Sequence, residues 1–149
     1  MSLYFKLPFL PPSMNHAYFQ KGNRRILTSK GRKFKAEVKT YIARQCPYVL
    51  DFFNSIDPYT VIFNLYFEAV HTTGKTAKSR YKKIDVSNRV KLLEDALTDA
   101  CGHDDSQHMI VAACKSTVCV GEEPHVEVWA FNEIEEECPI DGWIGRQPR

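Results

Sequence analysis

No stretch of this 149-residue chain stays apolar for the roughly 20 residues that a helix needs to cross a bilayer. The opening Met1-Ser2-Leu3-Tyr4-Phe5-Lys6 lacks the apolar core of a secretion signal, so the reading is of an intracellular, cytoplasmic protein with no membrane partner. Cysteine offers no framework either. Cys46, Cys101, Cys114, Cys119 and Cys138 are odd in number, form no Cys-x-x-Cys pair and sit mostly in apolar surroundings. Reduced core thiols are expected in place of disulfides or a zinc site. There are no internal repeats, and at 44% hydrophobic content the chain can bury one core but is short for two domains.

Net charge is also nearly missing, at +2, yet its distribution is uneven. Residues 1–83 hold 15 Lys/Arg against 4 Asp/Glu, and residues 84–149 hold 5 against 14. A basic first part suits phosphate groups and an acidic second part suits a metal or a tail, although two solvated faces would show the same numbers.

Residues 3–7 read as a short strand stopped by Pro8, and Pro11-Pro12 prevents regular pairing just beyond. The turn Ser13-Met14-Asn15-His16-Ala17-Tyr18 leads into Lys21, Arg24, Arg25, Lys30, Arg32, Lys33 and Lys35, interleaved with Phe19 and Phe34. That mixture places cations for phosphates beside rings for stacking. From Thr28 or Ser29, apolar residues recur at Phe34, Val38, Tyr41 and Ile42 until Pro47, the pattern of an amphipathic helix. Residues 59–70 are β-branched and aromatic, so a long buried strand is expected. The segment 71–83 then loses all periodicity and carries Lys75, Lys78, Arg80, Lys82 and Lys83, a loop suited to DNA.

Residues 87–101 place Val90, Leu93, Ala96, Leu97, Ala100 and Cys101 on one helical face, with Gly102 at the stop. Residues 109–120 and 125–131 alternate as strands, and Gly121-Glu122-Glu123-Pro124 reads as a hairpin connection between them. The expected fold is α+β, a single domain in βαβαββ order with a sheet packed against two helices. It occupies residues 1–132, and 133–149 form an acidic, poorly ordered tail.

Ionisable residues are densest in Lys82-Lys83-Ile84-Asp85-Val86-Ser87-Asn88-Arg89-Val90-Lys91, followed by Glu94-Asp95 and His103-Asp104-Asp105. Two readings are open on spacing alone. In one, Asp85, Asp104 and Asp105 hold Mg²⁺ at a phosphodiester, and Lys91, on the helix face of Asn88 and Asp95, stabilises the developing charge. In the other, Asp85 and Ser87 cap the helix, Lys91 and Asp95 form an i,i+4 pair, and Asp104-Asp105 sit in a polar turn. His103 and His108 flank the aspartates but are read as polar turn or strand residues. His16, His71 and His125 are isolated and are assigned no metal, while His16 stands where it can reach DNA.

Two separated segments resemble the RusA family of Holliday-junction resolvases. The first is Leu7-Pro8-Phe9-Leu10-Pro11-Pro12-Ser13-Met14-Asn15-His16-Ala17-Tyr18, a strand followed by a proline pair and a Ser/Asn turn. The second is Asp85-Val86-Ser87-Asn88, Lys91, Asp95-Ala96-Leu97 and Asp104-Asp105-Ser106-Gln107. Over residues 3–131 the resemblance implies an endodeoxyribonuclease that resolves four-way junctions by paired nicking as a homodimer. It implies Asp85 and Asp105 as metal-binding catalytic carboxylates, Lys91 as catalytic, and Mg²⁺ as cofactor with Mn²⁺ as a substitute. Asn15, Lys21, Arg24, Arg25, Lys75, Lys78, Arg80, Lys82 and Lys83 are the expected DNA contacts, with Ser87, Asn88 and Asp95 in support. Members of this family are often encoded by phages or prophages.

The family has an aspartate where this chain has Ser87. A catalytically weak branched-DNA-binding protein of the same fold is therefore the alternative function, and an unrelated adaptor is a third. A helix over 88–101 spans on the order of 20 Å, so Asp85 and Asp105 flank its opposite ends. Either the flanking segments fold back, or two helices pack antiparallel across a two-fold axis to make composite sites, which is the arrangement expected.

Overall fold

The computed structural model describes residues 1–55, 59–71, 82 and 84–132, with Met14 described by its backbone alone. The expected tail 133–149 and the basic positions Lys75, Lys78, Arg80 and Lys83 lie outside the described residues.

Strand β1 (Ser2–Leu7) alternates exposed and buried positions, with Leu3, Phe5 and Leu7 inward. A one-turn helix α1 (Met14–Ala17) follows the proline pair, and then a two-stranded ribbon, β2 (Tyr18–Lys21) against β3 (Arg24–Leu27). Helix α2 (Ser29–Gln45) starts where the Thr28 side chain accepts from the Gly31 N–H, and it buries Phe34, Val38 and Ile42. Helix α3 (Tyr48–Phe53) is short and buries Val49, Phe52 and Phe53.

Strand β4 (Tyr59–Phe67) is buried almost throughout, as a central strand must be. Helix α4 (Ser87–Cys101) ends at Gly102, whose φ of 72° lies in the left-handed region that glycine adopts without a Cβ clash. A 3₁₀ turn (Asp105–Gln107) leads to β5 (His108–Thr117), and β6 (His125–Asn132) closes the described chain.

The four-stranded sheet has the order β1-β6-β4-β5, with β4–β5 parallel and β1–β6 and β6–β4 antiparallel. Leu7, Val126 and Leu65 share one register row, Phe5, Val128 and Phe63 the next, and Leu3, Ala130 and Val61 a third. These rows join Phe34, Val38, Leu93 and Leu97 of α2 and α4 in a single core. The fold is thus α+β, a mixed sheet packed against helices in one compact domain.

Three expectations are corrected. The 121–124 connection is not a hairpin, because β4 stands between β5 and β6. The reason is physical: an apolar strand buried on both faces takes a neighbour on each side, and this long-range pairing outweighs the closeness of β5 and β6 along the chain. The succession of elements also contains α1, β2, β3 and α3 beyond the expected six, and β4 stops at Phe67 short of residue 70. Among the described residues no helix is long and apolar enough to cross a membrane.

Candidate active site

The approach to α4 is pinned from two sides: the Lys82 N–H donates to the Val70 carbonyl at 2.9 Å, and Lys115 of β5 donates to the Ile84 carbonyl at 3.0 Å. Asp85 follows immediately. Its Oδ1 accepts from the Ser87 hydroxyl at 2.6 Å and from the Asn88 N–H at 3.3 Å, and its Oδ2 accepts from the Asn88 side-chain amide. The Ser87 hydroxyl, and then the Asn88 N–H, hold the exposed Asp85 carboxyl below the usual carboxylate range. Val86, at the cap position, contributes no side-chain bond, so Asp85 takes up a free N–H of the first turn while remaining open to solvent.

Lys91 lies one turn further along α4. Its Nζ donates to Asp105 Oδ2 at 2.8 Å and pairs with Asp95 Oδ1 at 3.1 Å. The bond to Asp105 raises the lysine pKa, against the opposing effect of partial burial. The amine is therefore fully cationic near neutrality. Asp104 caps the next turn: its Oδ1 accepts the Ser106 N–H at 2.8 Å and starts the 3₁₀ turn, and its bonding to Ser106 lowers its pKa.

Asp105 reaches Lys91 because the left-handed Gly102 ends the helix and the chain doubles back along it. The segment after Gly102 folds back onto α4 as far as Lys91. One protomer by itself joins Asp105 to Lys91.

Two histidines anchor this returning segment. His103 stacks on Phe53 with centroids 4.4 Å apart, and its Nε2 lies 2.8 Å from His108 Nε2. His108 Nδ1 meets Glu94 Oε1 at 2.9 Å. His103 Nδ1 is buried without a hydrogen-bond partner among the described residues. Burial first, and the neighbouring His108 second, lower the His103 pKa to about 4.

The N-terminal motif closes on the same helix. Arg89 donates to the Pro11 carbonyl, and its guanidinium lies 5.3 Å from the Phe67 ring centre. The Tyr18 hydroxyl donates to Asp95 Oδ2 at 2.7 Å. Asn15 and His16 are exposed on α1, with His16 Nδ1 3.0 Å from the Ser13 hydroxyl. Lys21, Arg24 and Arg25 are exposed on the β2–β3 ribbon. A cleft of about 550 Å³ runs between α4 and β5, lined in part by Ser87, Lys91, Glu94 and Val111.

The structure thus brings Asp85, Ser87 and Asn88 into one bonded group, and Lys91, Asp95 and Asp105 into another one turn away. Among the described residues no three His, Cys, Asp or Glu side chains are grouped as a ready cage for one ion. Asp85 nevertheless offers an ionised, exposed carboxylate, and Asp104 and Asp105 are exposed close by in sequence to one another. Hard oxygens of this kind suit Mg²⁺, which keeps several waters and needs one or two carboxylates. Sequence reasoning had not singled out Arg89, Glu94 or the bond made by Tyr18. Arg89 was visible beside Asn88, but the partners of Glu94 and Tyr18 lie 14 and 77 residues away and leave no local signal.

The family model of endodeoxyribonuclease RusA matches residues 8–129, which run from the proline-rich turn into β6. The chain belongs to the RusA endodeoxyribonuclease family. It is accordingly an endodeoxyribonuclease of the Holliday-junction resolvase type, from a family that acts on branched DNA and is generally dependent on a divalent metal. None of the curated proteins matches it. The RusA match takes in both bonded groups on α4 and the basic ribbon, so the residues described above all fall within the family region.

Proposed function

We propose that residues 1–132 form an Mg²⁺-dependent RusA-type resolvase unit that nicks four-way junctions on opposing strands as a homodimer. Asp85, Asp105 and the adjacent Asp104 hold the cation, and Mn²⁺ substitutes for it. The observation that carries this reading is the return of Asp105 to Lys91, which joins the two halves of the acidic motif across 14 residues. When bound, the cation lowers the pKa of an attacking water and offsets charge on the phosphorane. Lys91 has three N–H donors, and Asp95 and Asp105 take two. The third is left for a phosphate oxygen, where a fixed cation stabilises charge that builds during cleavage. Asn15, Lys21, Arg24, Arg25 and Lys82, with Lys75, Lys78, Arg80 and Lys83, grip the backbone of the junction arms.

A second reading has one specific observation behind it. Ser87 stands where the family carries an aspartate, and its hydroxyl occupies Asp85 Oδ1 at 2.6 Å. A site with one carboxylate fewer and one oxygen already engaged would bind branched DNA well and cut it slowly.

Both readings are tested with a synthetic four-way junction and a linear duplex in Mg²⁺, Mn²⁺ or EDTA. The nuclease reading expects junction-selective nicking that EDTA abolishes, and Asp85→Asn and Lys91→Ala held at the EDTA level with binding retained. Equal cutting by wild type and Asp85→Asn would sink it. Ser87→Asp separates the two: a steep rise in cleavage supports the weak-cutter reading, and an unchanged or lower rate removes it.

A further inference from the structure

The Lys91 ammonium is held by two carboxylates, and one of these is itself held. Asp95 turns Oδ1 to Lys91 at 3.1 Å and Oδ2 to the Tyr18 hydroxyl at 2.7 Å. Tyr18 is not a loose surface ring. It begins β2 directly after the fully buried Ala17, and the base of the ribbon is fastened there on both strands. The Thr28 N–H donates to the Ala17 carbonyl at 2.7 Å, and the Thr28 hydroxyl donates to the His16 carbonyl at 2.6 Å. Thr28 also caps α2 by accepting from the Gly31 N–H at 3.2 Å. The tyrosine therefore reaches α4 from a fixed root, with a bond to a carboxylate, the stronger class of hydrogen bond.

A lysine carries four flexible methylenes, and an i,i+4 carboxylate by itself holds it weakly. Asp95 is free to turn about its own side-chain bonds unless its second oxygen is engaged. We propose that Tyr18 is a positioning residue for strand cleavage: by holding Asp95 Oδ2 it aims Oδ1 at Lys91, and so keeps the ammonium beside Asp105. The same side chain is the mechanical link between the exposed basic ribbon that carries Lys21, Arg24 and Arg25 and the lysine at the reacting phosphate. DNA seated on the ribbon thereby meets a lysine already in place. Burial and the bond to Asp95 also push the Tyr18 hydroxyl above its ordinary pKa, so it stays a donor throughout the working pH range.

This inference rests on the role proposed for Lys91, and the test separates the two. Single-turnover cleavage of a synthetic four-way junction at saturating protein is measured in Mg²⁺, and junction affinity in EDTA, for wild type, Tyr18→Phe, Asp95→Ala, the double variant and Lys91→Ala. Tyr18→Phe keeps the ring and removes only the donor. The expected result is a cleavage rate about ten- to a hundredfold lower, with affinity and melting temperature close to wild type. Because Tyr18 acts through Asp95, the double variant should cut no more slowly than Asp95→Ala alone. The proposal is overturned if Tyr18→Phe cuts at the wild-type rate, if its loss lies wholly in affinity, or if the two losses multiply. Should Lys91→Ala cut normally, the Lys91 role fails and Tyr18 with it; an inactive Lys91→Ala beside a fully active Tyr18→Phe removes Tyr18 alone. Tyr18→Leu, which also lacks the donor, gives the same reading if the phenylalanine variant folds poorly.

Discussion

The His103 ring sits one residue from Asp104 and is supported on three sides, by Phe53, Tyr59 and His108. Its folded pKa of about 4 lies below the ordinary 6.5 because burial disfavours the imidazolium. Below pH 6.5 the unfolded chain takes up a proton that the folded one refuses. This contribution to stability is complete above 6.5 and is lost progressively as the pH falls towards 4. Melting temperature should therefore drop between pH 7 and pH 5, and His103→Phe should narrow that drop; an identical profile in the variant would disprove the assignment. Residues of this kind mark the limit of what the sequence shows. Asp85, Lys91 and Asp105 stand out because their spacing matches a motif, and Asp95 because it lies four residues from Lys91. The packing of His103 on Phe53 joins residues 50 apart, and no local pattern announces it.

Helix α4 was legible end to end, since its apolar stripe repeats at helical spacing and Gly102 marks the stop. The β2–β3 ribbon was not, because each four-residue strand keeps its apolar pair and its polar pair in separate blocks, with no alternation to read. Sheet order was hidden for a different reason: strand patterns state which face is buried, not which neighbour pairs. The junction of the ribbon with α2 gives an element-scale prediction. A Cβ on Gly31 would lie 2.5 Å from Leu27 Cδ1 and 2.7 Å from the Ala17 carbonyl oxygen. The carbonyl is backbone and already accepts from Thr28, so it cannot yield cheaply. Gly31→Ala should destabilise the protein by about 1–3 kcal/mol, read as a lower urea midpoint with an unchanged slope. No change in midpoint would mean that α2 shifts freely on α1.

For the molecule as a whole, the charge separation seen in the sequence becomes spatial: Lys21, Arg24 and Arg25 project from the ribbon, while Asp95 and Asp105 surround Lys91 on α4. Junction binding should weaken steeply with salt, because every phosphate that a cation neutralises releases counterions. Replacing Lys21, Arg24 and Arg25 by alanine should lower the slope of log K against log salt by about 1 for each phosphate no longer neutralised. An unchanged slope would place the DNA elsewhere. The proposed homodimer expects a two-chain species by sedimentation at micromolar concentration, and a purely monomeric boundary would remove it.

The sheet order carries a consequence for how this nuclease comes into being. Strand β6 is the last described element along the chain, yet it sits inside the sheet, bridging β1 to β4. A growing polypeptide that has reached residue 107 already contains Asp85, Lys91 and Asp105, but its first strand has no neighbour until residues 125–132 slide into the gap. Assembly of the described sheet therefore waits for β6, with the slow kinetics typical of distant pairings.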